Sequence, residues 1–251
     1  MSPLCRAIVL RHIDYGEADR VVTVLTAEQG IVKGFARNAR KSRRRFGPTL
    51  EPFALIDLQL APHSRGDLQR FESADLIDLR VHLRQSLDAF AVASYLCELT
   101  DLFLEGGTLH PDIFALLNAT LDQLDRQRDP ASLRLLFELR LIHALGWAPH
   151  LLHCAGCDGP LAVPLVFAVL AGGPLCPACA AHSGGLPVSP GTLGSLARCL
   201  QVPLDRLGEV QLGAVTRAEA LPLLQAVLSA HWPRPPRSLT FLEGLAPRPN
   251  S

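Results

Sequence analysis

The sequence predicts an α+β chain: a small N-terminal β-barrel, then an α-helical bundle domain carrying an inserted four-cysteine module. Three observations predict it. Short apolar runs punctuated by turn residues fill the first 79 residues, and a helical apolar period takes over from about residue 81. Two Cys-x-x-Cys pairs then interrupt the helical part. The expected domains are residues 1–80 and 81–251, with the cysteine module at about 151–185.

In the first segment the apolar runs are Ala7–Leu10, Val21–Leu25, Ile31–Ala36, Phe53–Leu60 and Leu68–Phe71. Asp14 to Glu17, Glu28 to Gly30 and Ser64 to Asp67 supply turns between them. Ile56, Leu58 and Leu60 share one face by period-two alternation, opposite Asp57 and Gln59. Five short strands in about 75 residues suit an OB-fold, although periodicity alone admits other small barrels.

Val81 to Leu104 reads as a helix with Leu83, Leu87, Phe90, Ser94 and Tyr95 along one stripe, stopped by Gly106 and Gly107. Pro111 suits a first helical position, and Ile113, Leu116, Leu117, Leu121 and Leu124 form the next stripe. Asp129 caps a third helix with Pro130 at its first turn; its core positions are Leu133, Leu136, Phe137, Leu141 and Ala144, and Gly146 is its stop. Helices resume at Ser189-Pro190 and at Thr216, where Thr216-x-x-Glu219 is a capping-box pattern. The end, Trp232 to Ser251, is rich in proline and reads as irregular.

The net charge of zero hides a split: residues 1–80 carry 13 Lys and Arg against 10 Asp and Glu, the remainder 11 against 14. A basic module joined to a mildly acidic one suggests different partners for each. All basic residues except Lys33 and Lys41 are arginine; with the abundance of Leu, Ala, Gly and Pro this suggests a GC-rich genome, so arginine usage alone says little about phosphate binding. Arg11 and Asp14 break the short apolar start, which argues against a secretory signal. The longest uncharged stretch has its apolar part at Leu161–Ala171, too short for a membrane span of about 20 residues, and reads as a buried hairpin. The expected compartment is the cytoplasm, where thiols stay reduced and paired cysteines usually mean metal.

Cys154-x-x-Cys157 and Cys176-x-x-Cys179 are separated by eighteen residues, the spacing of a zinc ribbon. Each pair grips the ion from a tight knuckle, and four thiolates complete a tetrahedron with no position left for water or substrate. The expected cofactor is one structural zinc ion, with an iron–sulfur cluster or metal-free thiols as alternatives. No His-x-Glu occurs, which argues against the catalytic zinc of a nucleobase deaminase. His150, His153 and His182 flank the site and are expected to support or border it rather than ligate. Cys5, Cys97 and Cys199 lie in apolar contexts and read as core packing.

The second signal is basic. Lys33, Arg37, Arg40, Lys41, Arg43, Arg44 and Arg45 fall within thirteen positions that contain no acidic residue. Such a run often marks only a solvated loop, but it leaves a barrel strand, where OB-folds present backbone-tracking charge beside stacking aromatics. Of Phe35, Phe46, Phe53 and Phe71, most should be core, and Phe46, between Arg45 and Gly47, is the candidate for exposure. Four to six cations on phosphates would give a log–log salt slope of roughly −3 to −4 on a single strand. Arg126, Arg128, Arg134 and Arg140 are expected on solvated helix faces, with a second nucleic-acid surface as the alternative. Neither a P-loop nor a G-x-S-x-G elbow occurs, and Glu98, Asp101 and Glu105 read as a solvated helix face.

Tyr15-Gly16-Glu17 after the first strand, Thr26 with Gly30 after the second, Gly34 followed by Arg37, and Lys41-Ser42-Arg43 in the basic loop carry a resemblance. Together with the order of barrel, helices, four-cysteine module and further helices, they make the chain similar to the RecO family of recombination and repair proteins along nearly its whole length. The resemblance implies an OB-fold, a helical domain bearing a zinc ribbon, and binding of single- and double-stranded DNA. It further implies annealing of complementary strands and, with RecR, loading of RecA onto strands covered by single-stranded DNA-binding protein (SSB), whose tail is an expected contact. The basic-loop positions match the family pattern; no motif marks the pocket for the SSB tail. Two other readings stay open: a zinc-ribbon scaffold without intrinsic annealing, and an enzyme such as a nuclease.

Overall fold

The computed structural model describes residues 4–42, 44–62, 68–104 and 106–245. Each of the five N-terminal apolar runs contributes a strand, β1 (Leu4–Tyr15), β2 (Asp19–Thr26), β3 (Gly30–Ala36), β4 (Leu55–Leu60) and β5 (Gln69–Asp78), with Phe53, Ala54 and Leu68 left just before theirs. They close into a barrel of order β1-β2-β3-β5-β4, with β4 pairing back onto β1. Neighbours are antiparallel except β3 and β5, which run parallel. This is the five-stranded closed architecture of an OB-fold. The turn expected at Ser64 to Asp67 lies outside the described residues.

Alternation sets which side faces inward. Ile56, Leu58 and Leu60 are buried while Asp57 and Gln59 are half-buried, as their period predicts. They join Val22, Val24, Val32 and Phe71 in one core. A Cβ on Gly34 would sit 1.9 Å from the Phe71 ring, so only glycine lets that ring fill the barrel. β1 and β5 outrun their apolar segments, because their ends pair through backbone groups whatever the side chains.

The chain divides into two compact units, residues 1–127 with 234–251, and residues 128–233. The first unit adds three helices to the barrel: α1 (Leu87–Phe103), α2 (Pro111–Asp125) and α7 (Arg237–Leu245). The helix expected from Val81 begins later. A single 3-10 turn spans Leu83–Gln85, and Ser86 then caps α1 by accepting from the Ala89 N–H at 3.3 Å. Leu87, placed in the apolar stripe by spacing, is therefore 58% exposed. α2 starts at Pro111 and buries all five residues of its predicted stripe. α7 corrects the expectation of an irregular end.

In the second unit, Asp129 caps α3 (Pro130–Ala144) through the N–H groups of Ala131 and Ser132, and Gly146 follows with φ +78°. α5 (Pro190–Cys199) is capped by Ser189, and α6 (Ala214–Ser229) packs on both α3 and α5. The capping box at Thr216 does not form. α6 begins two residues earlier, and the Glu219 carboxylate accepts from the N–H and Oγ of Ser189 at 2.9 and 2.8 Å. Between α3 and α5 lies an antiparallel sheet of order β7-β6-β8, with β6 (Leu165–Ala168), β7 (Gly173–Leu175) and β8 (Leu186–Val188). Of the hairpin expected in Leu161–Ala171, the first arm is β6, while the second arm, β7, lies just beyond that segment. β6 is largely buried, whereas Leu170 at the tip is fully exposed.

Candidate metal centre and nucleic-acid interface

Cys154, Cys157, Cys176 and Cys179 converge, with all four sulfurs within 4.8 Å of one another. The first pair sits in a knuckle closed by Asp158 N–H donating to the Cys154 carbonyl and Cys154 N–H donating to Gly159. A Cβ at Gly156 would lie 3.1 Å from the Cys179 sulfur, so glycine lets the two knuckles meet. The second pair rides on the short helix α4 (Pro177–Ala180), with Cys176 just before its first turn. Cys154 is buried, and hydrogen bonds from the N–H of Cys176, then Gly156 and Cys157, outweigh its desolvation and bring its pKa down to about 6. Zn–S bonds of about 2.3 Å require tetrahedron edges of roughly 3.8 Å, and Cys157 and Cys176 already lie 4.0 Å apart. The four thiols therefore fit a closed tetrahedral ion. His150, His153 and His182 are not part of this cluster. Cys5, Cys97 and Cys199 are buried, and burial raises all three thiol pKa values, that of Cys97 to about 12.

The basic run starts on β3 with Lys33 and continues from Arg37 into the loop between β3 and β4, and its members are unequal. Lys33, Arg37 and Arg44 are exposed and make no ion pair among the described residues. Arg40 reaches Asp14 at 3.6 Å and Lys41 reaches Glu17 at 3.9 Å, both acids in or beside the β1–β2 turn. Arg45 is half-buried: its Nη2 donates to the Arg37 carbonyl at 2.7 Å, and its guanidinium lies 5.4 Å from the Phe46 ring centre. Arg43 lies outside the described residues. Phe46 is 1% exposed and belongs to the barrel core, which corrects its expected exposure. The loop folds back because the Arg45 carbonyl accepts from Ala74 N–H on β5, and this draws Phe46 inward.

On the barrel, the exposed aromatic is instead Tyr15, which meets the half-buried Phe35 edge to face at 5.8 Å. The signal that marks them is period: Lys33, Phe35 and Arg37 alternate onto one side of β3.

The remaining candidates are structural. Arg134 is 8% exposed and its Nε donates to Glu138 at 2.9 Å, while Arg140 donates to the carbonyls of Cys199 and Val202. Arg134 is buried in the second unit and Arg140 is half-buried against the end of α5, so both are engaged in packing. Arg126 and Arg128 are exposed. Glu98 accepts from the N–H groups of Arg237 and Ser238 at the start of α7, and Asp101 pairs with Arg11 at 2.8 Å. These contacts correct their reading as a solvated face; Glu105 lies outside the described residues. No helix among the described residues is long and apolar enough to cross a membrane.

Family models for the N-terminal and C-terminal parts of recombination protein O match residues 1–80 and 84–240. Similar full-length proteins include the DNA repair protein RecO of Syntrophotalea carbinolica, 41% identical over 95% of this chain and 93% of that protein. Those of Geobacter metallireducens and Geobacter sulfurreducens are each 38% identical over 98% of this chain, and over 99% and 100% of their own lengths.

Proposed function

The chain belongs to the RecO family of DNA repair proteins, and on that footing we propose that it is a non-enzymatic recombination mediator of the cytoplasm. It binds single- and double-stranded DNA, anneals complementary strands and, with RecR, helps RecA load onto strands covered by SSB. Residues 1–80 are the nucleic-acid-binding domain, and residues 81–251 form the helical domain with the ribbon. The observation that carries the reading is the group of exposed cations on one strand of an OB-type barrel and the loop that leaves it, Lys33 on β3 and Arg37 and Arg44 on the loop, with Arg40, Lys41 and Arg45 beside them. Such a loop neutralises two phosphate backbones at once, lowering their repulsion while bases pair.

The cysteine cluster holds one zinc ion in this reading. With four thiolates bound, the ion supplies folding energy to a segment too rich in glycine and proline to fold alone, and no reaction step passes through it.

The test is strand annealing with and without SSB, comparing wild type with a variant in which Arg40, Lys41, Arg43, Arg44 and Arg45 are all alanine. Loss of binding regardless of DNA sequence, with a shallower salt slope, is the expected result. Unchanged affinity at low salt would remove the role assigned to the loop.

A further inference from the structure

We propose that the outer face of strands β1, β2, β3 and β5 is a base-stacking platform for single-stranded nucleic acid, centred on Tyr15 and Phe35. The proposal rests on the DNA-binding reading above and names how the bases, rather than the phosphates, are held.

Cross-strand partners point to the same side of a sheet. The pairs Ile13 with Val21, Val21 with Phe35, and Phe35 with Arg70 therefore form one continuous row across four strands. The inward side is set by Val22, Val24 and Val32, so this row faces outward. An outward row on a small barrel is ordinarily polar, yet Ile13 is 55% exposed and Tyr15 beside it 61%. Tyr15 meets Phe35 edge-on at 78°, which fixes two rings at different orientations and leaves the Tyr15 ring open to solvent.

Charge selects the occupant. Lys33 and Arg37 are exposed two residues to either side of Phe35, and Arg70 ends the row. Asp19, the acid paired with Tyr15, has its Oδ1 engaged by the Asn38 N–H at 2.6 Å. Aromatic rings framed by cations suit a strand whose bases are unstacked and whose phosphates run along the rim. A duplex, with its bases already stacked, offers the rings nothing.

The experiment compares wild-type affinity for a single-stranded oligonucleotide and for an abasic strand of equal length and charge, at one salt concentration. The abasic strand should bind roughly tenfold more weakly, from the usual worth of stacking. Tyr15→Ala should close most of that gap while leaving abasic affinity and salt slope unchanged. Tyr15→Trp should keep the gap, and its indole emission should be quenched by the normal strand but not the abasic one. Equal wild-type affinity for both strands, or a Tyr15→Ala variant that keeps the full gap, overturns the platform while the phosphate reading stands. Failure of both strands to bind overturns the two together.

Discussion

The Nη2 of Arg80 lies 2.7 Å from Oδ1 of Asp122, and the arginine side chain has no solvent exposure. Its Nε reaches the same oxygen at 2.9 Å, Nη2 also donates to Asn118 at 2.7 Å, and Nη1 donates to the Phe53 carbonyl. Arg80 holds φ at +52°, in the left-handed region, as its backbone N–H donates to Asp78. One guanidinium thus fastens the end of the barrel to α2. The Asp122 side chain keeps 34% exposure, so the loss of Arg80 falls mainly on the hydrogen bonds to Asn118 and the Phe53 carbonyl. Arg80→Ala should cost about 2–3 kcal/mol in urea unfolding, and Arg80→Lys much of that, since an ammonium cannot reproduce the fork. A loss under about 1 kcal/mol for Arg80→Ala would contradict the assignment.

Glu98 does for α7 what a local N-cap residue does elsewhere. Burial alone would raise its pKa, but the hydrogen bonds from Ser238, Arg237 and Arg234 outweigh it and hold the carboxylate below its usual range. A lowered folded-state pKa gives stability that is present above the unfolded value near about 4.3 and lost as pH falls through the lower folded one. Glu98→Gln should therefore speed amide exchange at Arg237 and Ser238, whose N–H groups it holds, and cost about 1 kcal/mol at neutral pH. The difference from wild type should fade in acid below that window. A difference that persists at low pH would place the effect elsewhere.

Period and capping made much of the fold legible. The alternation in Leu55–Leu60, Pro130 after Asp129, and the two cysteine knuckles each state a local rule that nothing distant opposes. The misreadings share a physical cause, a contact from far along the chain. Thr216 and Glu219 have the spacing of a box, but Ser189, thirty residues earlier, claims the carboxylate. Phe46 looks exposed between Arg45 and Gly47, but backbone pairing with Ala74 turns it into the core. The acids that face Arg40 and Lys41 lie over twenty residues upstream, in or beside a turn that sequence spacing does not connect to the basic loop.

The cysteine cluster has little core to fall back on: among the described residues its buried members are Cys154, Ala168 and Leu175, with partly buried Ala155, Leu161 and Val166 packed against them. For the zinc ion proposed above, binding energy would be folding energy, about 10–16 kcal/mol in comparable zinc-finger peptides. Chelation, or Cys176→Ser, should release one zinc per chain and abolish exchange protection in residues 151–185. Annealing should continue in the Cys176→Ser variant as long as the barrel stays folded. Loss of annealing in a variant with a folded barrel would show that the ribbon takes part in DNA handling.

The loop proposed to meet phosphate faces acids in and beside the β1–β2 turn. The Glu17 carboxylate is 96% exposed and lies 3.9 Å from Lys41, so it takes part of that ammonium's field and repels an approaching strand. Surface pairs of this kind contribute little to stability, so Glu17→Gln should leave the unfolding transition within about 0.5 kcal/mol of wild type. Its effect on DNA is larger, because a unit charge some 4 Å away is worth about 1 kcal/mol even at the dielectric of water. Single-strand affinity should rise about twofold to fivefold at low salt and return to the wild-type value near 1 M, where the screening length falls to about 3 Å. A gain that survives high salt would mean that Glu17 acts through loop conformation and not through charge, and an absent gain would mean that Lys41 does not meet phosphate.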